Sequence, residues 1–273
     1  RNIESGRTKE RWLADRLEEA AKGVAVNEYG NYLNRINEAM DEANAQMMRT
    51  VMRQDGGVKE CLNLDGFIAE QLHVNSFNAK AVLQKSEYRA KIPKVGEAYG
   101  KNSFDVVIYN VKTGQIVHQY QFKFGKDAQS TIELFKHGNY NNARFVVPAD
   151  QVKEVQKAFP NKSVTAHIGG TDKVGIASEQ STKEEVKRMQ AEVQETGVPP
   201  RSDWNMYSAR ELAVSLGKQA GVAGMQAALV ATGIGLAGKA LRGEEVDGGE
   251  VVQAALQTGA DAGVKAAAGG ALT

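Results

Sequence analysis

Residues 101–127 read KNSFDVVIYNVKTGQIVHQYQFKFGKD, and their alternation predicts two strands joined by a tight turn. Val106, Ile108, Ile116, Tyr120, Phe122 and Phe124 supply the β-branched and aromatic residues that suit a pleated, half-buried surface. Lys112, Thr113 and Gly114 make the turn, with glycine at the third loop position, where a three-residue hairpin needs a left-handed residue. That loop sets Val111 opposite Gln115, and counting back sets Asp105 opposite Gln121. Side chains on a strand alternate faces. Asp105, Gln121 and Lys123 therefore share one face, and Val106, Ile108, Tyr120, Phe122 and Phe124 share the other. The second face is core-like. The first carries a carboxylate, an amide and an ammonium that a plain half-buried hairpin does not need.

The elements around the hairpin follow from the same patterns. Helical spacing runs through residues 8–53, with Met40, Met47, Met48 and Val51 on one stripe, and the run Gln54, Asp55, Gly56, Gly57 ends it. A second helix is expected from about Asp65, which suits an N-cap. Its stripe of Glu70, Val74, Phe77 and Ala81 is headed by a carboxylate, which is either solvated near the helix start or buried with a partner. A short strand over residues 88–92 precedes the hairpin. After it come a helix over 128–136 capped by Asp127, a strand over 143–147, a helix over 149–159 and a strand over 164–168. The succession describes an α/β or α+β fold, a mixed sheet with helices against it. We divide the chain into an N-terminal helical region (1–60), an α/β core (61–170), a polar linker or arm with a helix near 182–195 (171–212), and a Gly/Ala-rich helical hairpin (213–273).

Composition bounds the function loosely. The chain has 273 residues and a net charge of +1. Residues 61–170 carry 14 Lys/Arg against 9 Asp/Glu and hold all four histidines, a mildly basic centre consistent with a nucleic-acid site. The lone Cys61 excludes an intrachain disulfide framework and a multi-cysteine zinc site, and favours a reducing, cytoplasmic setting. There is no initiator methionine or leader pattern at Arg1, as expected of a piece or processed form of a longer chain.

The polar face of the hairpin suits metal-assisted phosphodiester hydrolysis. Asp105 and the side-chain carbonyl of Gln121 are hard oxygen ligands for Mg²⁺ or Mn²⁺. Such a metal acidifies a bound water and offsets phosphate charge. Lys123 adds a fixed positive charge for the transition state, and Glu70 can complete the ligand shell. Glu70 on a helix, Asp105 on a strand and Gln121-Phe122-Lys123 on the next resemble the PD-(D/E)XK nuclease superfamily. The match is to the branch with QxK in place of ExK, as in Mrr-like restriction endonucleases. The element order over residues 66–147 is similar to that family's helix, three strands, helix, strand core. The resemblance implies a DNA endonuclease with Asp105 and Gln121 as metal ligands, Lys123 as catalytic lysine and Glu70 as accessory acid. A setting in restriction, defence or toxin delivery is then expected. His73, Lys101, Ser103 and Lys126 are weaker candidates for contacts to the DNA.

A reading from another class starts from the C-terminal composition. Residues 217–273 hold 13 Gly and 15 Ala, and residues 219–238 carry no charge, a length that can span a bilayer. Small residues recur at spacing four, the pattern that lets helices approach closely. On this reading residues 217–241 and the N-terminal helices drive membrane association or homo-oligomer assembly, and the sheet domain is a binding module with a degenerate site. The simpler alternative for the tract is a helical hairpin that packs on itself.

Overall fold

The computed structural model describes residues 35–36, 38–93, 104–138 and 140–202. Expectations for the N-terminal helix before residue 35 and for the Gly/Ala-rich tract after residue 202 lie outside the described residues. Among those described, no helix is long and apolar enough to cross a membrane. One compact unit spans Glu38–Asp203.

The unit is an α+β sheet clad on both faces. A helix described over residues 38–51, α1, is followed by α2 (Leu64–Leu83) and three antiparallel strands, β1 (Tyr88–Lys91), β2 (Val106–Asn110) and β3 (Ile116–Phe122). Next come α3 (Ala128–Lys136), β4 (Arg144–Val146), a 3-10 turn (Ala149–Gln151) running into α4 (Val152–Ala158), β5 (Val164–Thr165) and α5 (Lys183–Thr196). The sheet order is β1-β2-β3-β4-β5, with β4 and β5 joining β3 in parallel. Parallel neighbours need a crossover, and α3 and α4 supply the two.

Alternation along the strands builds two cores. On one face Val106, Ile108, Tyr120 and Phe122 meet Ala69, Val74, Phe77 and Ala81 of α2, so three of the four stripe positions are core as predicted. On the other, Phe145 and Val147 meet Phe135 of α3 and Val155 of α4, with the Phe135 and Phe145 rings stacked at 3.9 Å. A third cluster joins Met47 and Val51 of α1 to Leu64 and Ile68 of α2 and Val193 of α5. Met40, Met47 and Val51 of the methionine stripe are thus core while Met48 is exposed, and α1 belongs with the sheet unit although residues 1–60 read as a separate region.

The hairpin differs from its predicted turn. Gly114 does take the left-handed conformation, at φ 71°. The loop, however, holds four residues, because Asn110 N–H donates to Gln115 O at 3.0 Å and Tyr109 pairs with Ile116. The Asn110 side chain stabilises that longer loop by accepting from the N–H groups of Lys112 and Thr113. A bulge between Ile108 and Tyr109 then leaves Val117 as the extra residue in β3 and restores Ile108↔His118, Val107↔Gln119 and Val106↔Tyr120. The two departures cancel. Counting on from Val106↔Tyr120 brings Asp105 level with Gln121, as the sequence predicts.

Two other expectations are corrected. Asp65 is not an N-cap: Asn63 holds that position, without a side-chain bond. Asp65 is buried one residue inside α2, paired with Lys183 and, at 3.2 Å, with Lys187. The segment read as a polar linker is structural as far as residue 202. Val174, Ile176 and Val186 enter the first core, and α5 packs on α2 through Val193. A capping box between Thr182 and Glu185 starts α5, and Gly197 in the left-handed region ends it. Its apolar contacts, Val186, Met189 and Val193, lie among many charges, which made the helix look solvated.

Removing Lys183 leaves a carboxylate that is almost wholly inaccessible with only the half-exposed Lys187 beside it. A broken buried pair costs roughly 3–5 kcal/mol, and Lys187 offsets part of that. Lys183→Met is therefore expected to lower unfolding free energy by about 3 kcal/mol in a urea titration. A change under about 0.5 kcal/mol would show that α2 and α5 do not depend on this pair.

Candidate metal and phosphodiester site

Asp105 sits immediately before β2 and acts as a ladder partner with its side chain. Its Oδ2 accepts from Phe122 N–H at 2.7 Å and from Gln121 Nε2, while its own N–H donates to Tyr120 O at 2.9 Å. The carboxylate thus replaces a backbone carbonyl at the strand end, which fixes its direction. Gln121 is itself buried on the face of Phe145, its partner in β4. Its amide nitrogen is committed to Asp105. Its other polar atom, Oε1, is buried and has no hydrogen-bond partner. A buried acceptor left alone costs about 1–3 kcal/mol, so native proteins rarely keep one without a further partner.

Glu70 reaches the same place from α2, two turns inside the helix and beyond the positive end of its dipole. Burial and the nearby Asp105 carboxylate push its pKa well above the ordinary carboxylate value, and Lys123 pulls it back in part. Asp105 is raised too, chiefly by burial, against the opposing pull of the Phe122 N–H, Lys123 and Gln121. Lys123 follows β3 and donates its N–H to Val146 O at 3.1 Å. Its ammonium lies 5.6 Å from the centre of the Tyr140 ring. Glycine at 125 lets the chain after Lys123 pass against α3: a Cβ there would lie 2.5 Å from Thr131 N. Thr131 and Gln151 then hold Gly125 by its N–H and its carbonyl.

Glu70, Asp105, Gln121 and Lys123, which the sequence assigns to one site, therefore lie together. Among the described residues no group of three or more His, Cys, Asp or Glu is gathered for a metal. The donor set here is instead two carboxylates and one amide oxygen. These are hard oxygen donors, and the orphaned Oε1 of Gln121 beside Asp105 is the observation that fits them to a divalent cation.

A cavity of about 410 Å³ opens beside the two carboxylates. Glu70 and Asp105 form one part of its wall, Gln46, Arg49 and Thr50 of α1 with Lys59 another, and Phe67, Ile92, Pro93 and Phe104 an apolar part. A polar seam fixes α1 against α2 there: Gln71 Nε2 donates to Gln46 Oε1 at 2.9 Å and Thr50 Oγ1 to Gln71 Oε1 at 3.2 Å. None of the α1 residues was singled out from sequence. The spacing of Phe67, Glu70 and Gln71 at i, i+3 and i+4 does put them on one helix face, and that signal was available.

Of the weaker candidates, His73 does not join the site. His73 is a core residue, not a phosphate contact. It is buried, bonded to Ser178 Oγ at 2.8 Å and set edge-on to Phe122, and burial pulls its pKa down to about 3. Lys126 is exposed beside the α3 cap. Lys101 and Ser103 lie outside the described residues. Compared with known proteins, the chain matches no family model, no curated protein and no solved structure.

The raised Glu70 pKa has a consequence for stability. A carboxylate whose folded pKa lies above its unfolded value leaves stability intact below the ordinary carboxylate value of 4.5 and removes it as pH rises toward the folded pKa. Glu70→Gln, free of that ionisation, is expected to be more stable than the metal-free wild type at about pH 7–8. The gap closes below pH 4.5. Calorimetric melting in EDTA across pH 4–8 measures this, and a gap that does not change with pH would overturn it.

Proposed function

We propose that this unit is a divalent-metal-dependent deoxyribonuclease with a PD-(D/E)XK-type core of the QxK branch. The observation that carries the reading is the buried, unpartnered Gln121 Oε1 beside two raised-pKa carboxylates and a lysine. The succession of helix, three antiparallel strands, helix and parallel strand supports it, because the resemblance calls for that order.

Asp105, Gln121 and Glu70 would hold Mg²⁺ or Mn²⁺. When bound, the cation makes a coordinated water acidic enough to attack phosphorus and offsets charge on the scissile phosphate. The protein's own part is positional and electrostatic. The Phe122 N–H and the Gln121 amide keep Asp105 aimed from the strand end. Burial and Asp105 raise the Glu70 pKa, so a cation held there would compete with protons and its uptake would tighten as pH rises. Lys123 adds a fixed ammonium at the charge that develops on the phosphate oxygens. Attack by water at phosphorus breaks the P–O bond to the leaving sugar oxygen, and the leaving oxygen takes up a proton. DNA is the substrate this reading assigns.

Incubating the purified chain with plasmid and Mn²⁺ or Mg²⁺ tests the proposal. Cleavage is expected, abolished by EDTA and reduced about 10²–10³-fold by Asp105→Ala or Lys123→Ala, the loss typical when one transition-state contact is removed. Cleavage unaffected by both substitutions, or none at all together with no Mn²⁺ heat in titration calorimetry, would reduce the unit to a binding module.

A further inference from the structure

The 410 Å³ cavity has a composition that the hydrolytic residues do not account for. Its carboxylate part serves the proposed cation. The remainder pairs a cationic edge, Arg49 and Lys59, with apolar wall from Phe67 and Phe104. Phe67 stays 42% exposed although α2 has a fully buried face to offer, so core packing does not explain a phenylalanine at this position. It precedes Glu70 by three residues and so lies one helical turn away on the same face. Among the described residues the Arg49 guanidinium is held by an exposed pair with Glu42, an interaction of small worth that leaves it free to turn toward a ligand. Lys59 is fixed instead. Its ammonium donates to Thr50 O at 2.8 Å at the end of α1, which stations a positive charge at the cavity edge.

We infer that this cavity binds one unpaired nucleotide of single-stranded DNA, its base against Phe67 and its phosphate at Arg49 and Lys59. The inference rests on the nuclease reading of the adjacent carboxylates and deepens it by assigning the strandedness of the substrate. Size and chemistry both argue for an unpaired nucleotide. A 410 Å³ space lies near the lower end of the roughly 300–1,000 Å³ typical of small-molecule pockets, and a duplex does not enter it. Within a duplex both faces of a base are already stacked, whereas an unpaired base offers a face to an aromatic ring. The separation of charge across the cavity also sets a direction. A flanking phosphate seats at the cations, and the scissile phosphate seats at the cation site between Glu70 and Asp105.

Fluorescence anisotropy of the full chain in EDTA reads binding apart from cleavage. The probes are a 5′-fluorescein dT12 strand and a blunt 12-base-pair duplex. The single strand is expected to bind at least tenfold more tightly than the duplex. Phe67→Ala weakens the single strand at least fivefold and Phe67→Trp restores it. Arg49→Glu weakens binding and lowers the slope of log affinity against log salt by about one. Both variants are checked for wild-type melting and wild-type Mn²⁺ heats, since neither residue belongs to the metal set. Equal single-strand affinity in wild type, Phe67→Ala and Arg49→Glu overturns the cavity assignment. So does a duplex that binds as tightly as the single strand. Neither result touches the nuclease reading if plasmid is still cut in an Asp105-dependent way. Loss of Mn²⁺ binding and of all DNA binding in the wild type overturns both.

Discussion

The constraint around which the site is arranged is the burial of two carboxylates, Glu70 and Asp105, side by side. Burial raises the cost of ionising both, and the Asp105 carboxylate adds to it at Glu70. The groups around them answer that cost. The Phe122 N–H and the Gln121 amide donate to Asp105, and the Lys123 ammonium acts on both. What remains favours the protonated form of Glu70. A pair like this persists only if the elements that carry it cannot move apart, and the two come from different layers. Asp105 is tied into the sheet through β3. Glu70 depends on the placement of α2, and three separate contacts fix that placement. Asn78 donates to Ala90 O and accepts from Ala90 N, so it serves as a neighbour for edge strand β1. Asn75 bonds to Ala43 O on α1. Asp65 pairs with Lys183 and Lys187 on α5.

α5 therefore matters to a site it does not enter. Seven residues separate Val186 from Val193, and between and around them the sequence is charged. Read as a pattern, that is a solvated arm. The structure uses the two valines at separate places, Val186 in the sheet core and Val193 in the cluster of α1 and α2. With Met189 the valines make a stripe at spacings of three and four, but one narrow and crowded by charge. The information lies in the partner, because only α2 offers a buried carboxylate at the height of Lys183. Tertiary pairing of this kind leaves almost no trace in local sequence.

Asp105, Gln121 and Lys123 were legible because strand alternation is a two-fold rule that needs only a register, whereas Glu70 came from the stripe of a helix. The register itself survived a misread turn. The loop is one residue longer than the Lys-Thr-Gly pattern predicts, since the Asn110 side chain caps it. The bulge at Val117 absorbs the difference before the strands reach the site. His73 shows the opposite failure. One turn after Glu70 it looked like a neighbour of the chemistry, but the helix turns it toward Phe122 and Ser178, where an imidazole is held neutral. The cationic edge at Arg49 and Lys59 was illegible for a plainer reason: it is made by the contact of α1 with α2, and no spacing rule links residue 49 to residue 105.

Gln121 is where the electrostatics and the proposed chemistry meet. A glutamate there would place a third carboxylate against two that are already difficult to ionise, and it would donate nothing to Asp105 unless it kept a proton. The amide does both jobs in one geometry. Its nitrogen stabilises the Asp105 carboxylate, and by doing so it turns its oxygen away from every protein donor. A divalent cation is the partner that suits such an oxygen, since it needs no proton and attracts the neighbouring carboxylates as well. The cost is one negative charge fewer to hold that cation. On the proposed reading, with fewer charges from the protein, a nucleic-acid substrate would supply more of the negative charge that holds the cation. The departure from the commoner acidic residue is thus consistent with a working site, because a hydrogen bond the structure contains explains why an amide is there.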